Sequence, residues 1–173
     1  MDFNLLDNST ELSPMDSEYW FNKGEALFDQ SKYDEAVECF TKAIELNPYV
    51  AEYWNKKGNS LRRLGKYAGA LECYDKAVNL EPNRPLYWNN KGWALHDLGR
   101  YAEAIKCFDE AIKLEDFSID KVLYMIRKAT VLEKISYDEA SKYRKRIKEE
   151  YINEFVFLLA FGVIDKEEFG KFI

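Results

Sequence analysis

Along residues 17–118, apolar and small residues recur at spacings of three and four, the mark of helices that bury one face. The whole pattern returns every 34 residues: Trp20, Trp54 and Trp88; Gly24, Gly58 and Gly92; Cys39, Cys73 and Cys107; Ala43, Ala77 and Ala111. This phase sets three units, 17–50, 51–84 and 85–118, of which the last two agree at 16 of 34 positions without a gap. Repetition at such a period predicts a stacked array, in which each unit buries its apolar face against its neighbours.

Each unit reads as two amphipathic helices. The first carries Trp, Gly and Leu on one face: Trp20/Gly24/Leu27, Trp54/Gly58/Leu61 and Trp88/Gly92/Leu95. A glycine inside a helix costs about 1 kcal/mol relative to alanine. It is expected where a second helix packs too close for a Cβ. The second helix alternates large and small residues: Tyr33/Ala36/Phe40/Ala43, Tyr67/Ala70/Tyr74/Ala77 and Tyr101/Ala104/Phe108/Ala111. Such alternation suits interlocking faces. Gly65 and Gly99 fall where the first helix ends, as left-handed caps would. Pro48 and Pro82 follow the second helix and stop it.

A helix–turn–helix of 34 residues with W-x3-G-x2-L, then Y-x2-A-x3-[FY]-x2-A and a closing Pro, resembles the tetratricopeptide repeat family. The resemblance implies an all-α fold, a right-handed α-solenoid of antiparallel helix pairs with C-terminal capping helices. The first helices would line the concave side. One departure is Asp116, which stands where the first two units have Pro.

Residues 119–150 read as a fourth, degenerate unit. Tyr137-Asp138-Glu139-Ala140 echoes Tyr33-Asp34-Glu35-Ala36 and sets a two-residue slip. On that alignment Tyr124 takes the Trp place, Val131 the Leu place and Ile147 the last Ala place. Lys128 replaces the packing Gly, and Arg144 the packing aromatic. The array thus spans 17–150, after an acidic tail at 1–16 that is expected to be flexible. Residues 151–173 form an apolar C-terminal segment. Its stretch 152–164, INEFVFLLAFGVI, is apolar on all sides, so it must be buried. It is expected either to seal the end of its own stack or to join protomers into a homo-oligomer. Asp165-Lys166-Glu167-Glu168 has a capping pattern that would start a short helix at about 166–172.

Composition narrows the chemistry. The net charge is −6 over 173 residues, which argues against nucleic acid as a main partner. The basic stretch Lys142–Lys148 is flanked by Glu139, Glu149 and Glu150 and reads as a solvated helix face. The first 16 residues hold four acids and no Lys or Arg, unlike a signal peptide. The longest apolar run, Phe155 to Phe161, is too short to span a bilayer, which takes about 20 residues. These features predict a cytoplasmic protein with no membrane partner. The cysteines come one per repeat, without the short local pairing of metal sites, and read as packing residues. His96 is the only histidine and has no nucleophile beside it in sequence. No phosphate loop, dinucleotide fingerprint or zinc-protease motif occurs. No enzyme, cofactor or metal is expected.

What remains is the face of the first helices opposite the packing stripe. It reads Glu18, Phe21, Glu25, Phe28, Asp29 in the first unit and Glu52, Asn55, Asn59, Arg62, Arg63 in the second. In the third it reads Leu86, Asn89, Trp93, His96, Asp97. Asn55 and Asn89 are equivalent, and their amides are expected to form a ladder, with Asn59 close by, that pairs with peptide backbone. Arg62 or Arg63 could take a carboxylate. Phe21, Phe28 and Trp93 would anchor side chains. The candidate peptide-binding residues are Phe21, Glu25, Phe28, Asn55, Asn59, Arg62, Asn89, Trp93 and His96.

Some members of the family that the repeats resemble hold a chaperone tail through a Lys/Asn/Asn/Lys/Arg clamp. Its places here are Phe21, Glu25, Lys56, Leu86 and Asn90. One unit along they are Asn55, Asn59, Asn90, Val122 and Ile126, again without the cations. The clamp is therefore expected to be absent. The expected function is a non-catalytic scaffold that binds an extended peptide or partner segment in the concave groove. The alternatives are a self-assembling structural module joined by the apolar C-terminal segment, and an enzyme accessory or RNA-associated array.

Overall fold

A computed structural model of the chain describes residues 16–116 and 118–160, with side chains at 16–116 and 120–151. All but Asp16 of the expected acidic tail (1–16), and the expected short helix at about 166–172, lie outside the described residues. The elements are α1 (Ser17–Asp29), α2 (Tyr33–Leu46), α3 (Ala51–Arg63), α4 (Tyr67–Leu80), α5 (Pro85–Asp97), α6 (Tyr101–Leu114), α7 (Ser118–Leu132) and α8 (Tyr137–Ala160). Each helix packs on its neighbours in chain order, which makes the fold an all-α solenoid of helix pairs.

The glycine and the aromatic of each unit meet as the pattern requires. A Cβ on Gly24 would lie 2.7 Å from the Phe40 ring, one on Gly58 2.7 Å from Tyr74, and one on Gly92 2.9 Å from Phe108. These three rings are almost wholly buried. Between units, Val78 and Ala77 of α4 meet Tyr87 of α5, and Ala70 and Tyr74 meet Ala94. The turn inside each of the first three units needs one left-handed residue. Gly65 and Gly99 supply it at φ +73°, and Ser31 takes the same place at φ +60°.

The tryptophans do more than fill the core. The Trp54 indole Nε1 donates to the Pro48 carbonyl at 2.8 Å, and Trp88 repeats this with Pro82 at 2.8 Å. Each bond ties a first helix to the turn that precedes it. Trp54→Phe keeps the ring and removes the donor. It is expected to cost about 1 kcal/mol in urea unfolding, and an unchanged midpoint would show that water replaces the bond freely.

The fourth pair corrects the sequence register. Lys91 reaches Asp75 of the previous unit at 2.7 Å, and Lys128 reaches Asp109 in the same way at 2.5 Å. Asn90 donates to Asn55 at 2.8 Å, and Arg127 donates to Asn89 at 2.7 Å. Lys128 is thus the counterpart of Lys91, and Arg127 of Asn90. Tyr124 takes the place of Tyr87 rather than of Trp88, Ala129 that of Gly92, and Leu132 that of Leu95. Three residues are added ahead of α7 and one is lost between α7 and α8. The echo in α8 reports only the net slip of two. In α8 the expected register holds: Ala140, Arg144 and Ile147 are buried. Arg144, in the aromatic place, donates to Glu133 at 2.6 Å.

Helix α8 breaks at Tyr151 (φ −133°, ψ 33°) and resumes to Ala160. The Tyr151 ring packs on Val122, Met125, Ile126, Ala129 and Ile147, the core cluster of this end. The side chains of 152–164, expected to seal the stack or to join protomers, lie outside the described residues. Among the described residues, no helix is long and apolar enough to cross a membrane.

Candidate functional site

The first helices place the predicted residues along one face, but they do not leave them equally available. Asn55 and Asn89 are each 2% exposed. Their amides do form a ladder, though it runs through position 6 of the next unit. Asn90 Nδ2 donates to Asn55 Oδ1, Asn89 Nδ2 donates to Asn90 Oδ1 at 3.1 Å, and Arg127 donates to Asn89 Oδ1. The two asparagines are the floor of the groove, so the expectation that they pair with peptide backbone is corrected. Buried amides must find partners inside the protein. Asn59 stands outside this ladder and accepts from the Tyr74 hydroxyl at 2.8 Å, which leaves its amide nitrogen to donate.

Phe21 occupies the place of Asn55 in the first unit but is only half-buried. Its ring lies 4.9 Å from Tyr53 and 5.8 Å from Phe40. It packs on the Ala43, Ile44 and Tyr53 cluster. Glu25 pairs with Lys56 across the first joint. Phe28 leans edge-on against Tyr33 at 5.2 Å and remains half-buried.

Arg62, Trp93 and His96 are brought together. Arg62 Nε donates to Asp97 Oδ2 at 2.6 Å, and its guanidinium lies 5.5 Å from the Trp93 ring centre. His96 Nδ1 lies 3.2 Å from the other Asp97 oxygen. The His96 ring stands edge-on to Trp93 at 5.3 Å and meets Tyr101 at 5.5 Å. The Trp93 ring meets the buried Phe108 edge-on at 5.8 Å. Asp97 thus holds a cation beside a half-buried indole. Arg62 is already engaged, so its expected role as an open carboxylate fork narrows to its remaining guanidinium nitrogens.

The sequence reading missed position 6, where Lys56, Asn90 and Arg127 each reach back to the unit before. A signal existed, since residues 6, 9 and 13 share a helix face as residues 5, 9 and 12 do. Arg127 was hidden by the register slip in α7. With that slip corrected, the clamp places in the second to fourth units are Asn55, Asn59, Asn90, Leu123 and Arg127. The arginine place is therefore filled by Arg127, and the two lysine places hold Asn55 and Leu123.

The cysteines are 5% exposed at each of the three sites. Burial pushes the Cys39 thiol up, and it pushes Cys73 and Cys107 up to about 11. Among the described residues, no group of three or more His, Cys, Asp or Glu side chains is placed to hold a metal. Because the folded protein holds these protons more tightly than the unfolded chain, stability is expected to be full below about pH 9 and to fall as pH rises towards 11. Native thiols are expected to resist alkylation at pH 8 and to react on unfolding. Rapid modification of the native protein, counted by intact mass, would contradict this.

Fold and site together define a class: an α-solenoid whose inner helices carry polar and aromatic groups along one groove. Models of the tetratricopeptide repeat match residues 17–49 and 55–118, and the chain belongs to the tetratricopeptide repeat family. Similar solved structures agree. The first repeat domain of human RPAP3 is 27% identical at a TM-score of 0.64, covering 72% of this chain and 100% of that one. The first repeat domain of Spaghetti (RPAP3), bound to the HSP90 peptide SRMEEVD, is 24% identical at 0.65, covering 72% and 96%. MamA from Desulfovibrio magneticus RS-1 is 21% identical at 0.71, covering 79% and 76%. No curated protein sequence matches the chain.

Proposed function

We propose that this protein is a non-catalytic interaction module that takes an extended segment of a partner protein along its concave face. The observation that carries this reading is the half-buried Trp93, backed by Phe108 and His96 and flanked by Arg62. A large ring held on a rigid helix, with polar groups around it, is the composition of a binding anchor. Asn59, with a donor to spare, and the Asn90–Asn89–Arg127 ladder lie on the same face. They suit a peptide with an apolar side chain at Trp93 and an acidic group towards Arg127. Binding of the HSP90 peptide SRMEEVD to the Spaghetti domain is consistent with peptide recognition by this fold. Here two of the three cationic clamp places hold Asn55 and Leu123, so a tail read chiefly by paired lysines is not the ligand proposed.

The test begins with peptides selected from a random displayed library against the wild-type chain. Their affinity is measured by fluorescence anisotropy for Trp93→Ala combined with Asn59→Ala, and for Glu72→Ala on the outer surface. The groove variant is expected to bind at least about tenfold more weakly, a loss of about 1.4 kcal/mol. Glu72→Ala is expected to bind as wild type. Equal affinity in the groove variant would remove the site.

A further inference from the structure

The two ends of the array are built differently. Where a second helix meets the next unit, α4 and α6 present Leu71 and Ile105 (Val37 is their counterpart in α2), and one helical face further on α2, α4 and α6 present Ile44, Val78 and Ile112. The last second helix, α8, has Ser141, which is exposed, and Lys148, which is half-buried, at these two places. Its far face therefore carries the polar residues that end a stack.

At the other end, α1 keeps the residues of an internal joint. Tyr19, Lys23 and Ala26 stand where α3 has Tyr53, Lys57 and Ser60, and where α5 has Tyr87, Lys91 and Ala94. In α3 and α5 the tyrosine is at most 8% exposed and the small residue is fully buried beneath a preceding helix. On α1, Ala26 is exposed and Tyr19 only half-buried, and no described element precedes it.

The chain also holds an apolar helix-length segment, 152–164, that the polar far face of α8 does not match. We propose that this segment of one molecule docks on the α1 face of a second copy and joins molecules head to tail. Three observations favour it as the occupant. It continues the last helix of the array beyond the break at Tyr151, at the opposite end of the stack from α1, so a second molecule supplies the nearer face. Its one charge, Glu154, can meet Lys23, as Asp75 meets Lys91 and Asp109 meets Lys128 at the internal joints. The N-terminal tail is a poorer match, since it intersperses its few apolar residues with four acids. A head-to-tail contact is heterologous, so it leaves one free face at each end and grows with concentration.

The test uses full-length chains and sedimentation velocity over a range of concentrations. Wild type is expected to shift to larger species as concentration rises. Ala26→Arg changes an exposed residue of α1, and Leu158→Glu changes the segment. Each alone is expected to sediment as one chain, with circular dichroism confirming that it folds. Mixed in equal amounts, they retain one intact joint and are expected to form a one-to-one dimer and nothing larger. Monomeric wild type, unaltered assembly of Ala26→Arg, or a mixture that stays monomeric would each overturn the proposal. If Leu158→Glu fails to fold, Ala26→Arg alone decides the face, and Phe161→Gln repeats the test of the segment.

Discussion

Phe108→Ala is expected to lower stability by about 3–5 kcal/mol, the range for removing a buried phenylalanine from a packed core. Phe108 has no exposed surface and sits in one cluster with Leu95, Ala104, Cys107 and Val131. Leu95 belongs to the same repeat, whereas Val131 comes from α7 of the next. The cavity therefore opens both inside a pair and across a joint. Relaxation is hindered because Gly92 already lets the two helices approach closely, and a Cβ there would fall 2.9 Å from the Phe108 ring. The variant is also expected to weaken peptide binding, since Phe108 backs the Trp93 ring. Trp93→Ala separates the two effects: it should lose affinity with a smaller loss of stability. Urea unfolding followed by circular dichroism measures the first effect and anisotropy the second. A cost below about 1 kcal/mol for Phe108→Ala would mean that the helix pair closes over the gap, contrary to the packing described.

The features most legible in the sequence are those where backbones come closest. Gly24, Gly58 and Gly92 face Phe40, Tyr74 and Phe108, whose rings leave no room for a Cβ, so the glycine recurs in each of the three units that carry the aromatic. The left-handed turn is nearly as clear, although Ser31 carries it in the first unit without a glycine to mark it. The groove was harder to read. A polar residue on the face away from the packing stripe suggests exposure, and Asn55 and Asn89 are polar. What buries them is the next first helix, whose position 6 closes over them. That contact depends on the offset between units, and the period of a single helix carries no record of it. The same offset half-covers Phe21, whose ring lies against Tyr53 of the following helix. Arg127 escaped because three residues added ahead of α7 and one lost after it shift α7 further than the echo in α8 reveals.

Gly58→Ala is expected to destabilise the protein by about 1–3 kcal/mol, against the direction of helix propensity. Alanine in a helix interior is normally favoured over glycine by about 1 kcal/mol. At Gly58, however, the added Cβ would lie 2.7 Å from Tyr74 Cε1 and 3.0 Å from Cδ1 and Cζ. The ring cannot step aside easily, since Tyr74 is 1% exposed and its hydroxyl donates to Asn59. Either α3 and α4 move apart or the ring tilts and strains that bond, which also displaces a groove residue. Two other glycines of the same unit isolate the cause. Gly69 lies in α4 with only Leu61 Cδ1 nearby, at an ordinary 3.5 Å, so Gly69→Ala should stabilise by about 0.5–1 kcal/mol. Gly65 has open space around it but a φ of +73°, so Gly65→Ala should cost about 1 kcal/mol through backbone strain alone. Three identical substitutions within twelve residues thus separate packing, propensity and backbone conformation by sign and size in urea unfolding. If Gly58→Ala proved as stabilising as Gly69→Ala, close approach would not be the reason for glycine at this place in the repeat.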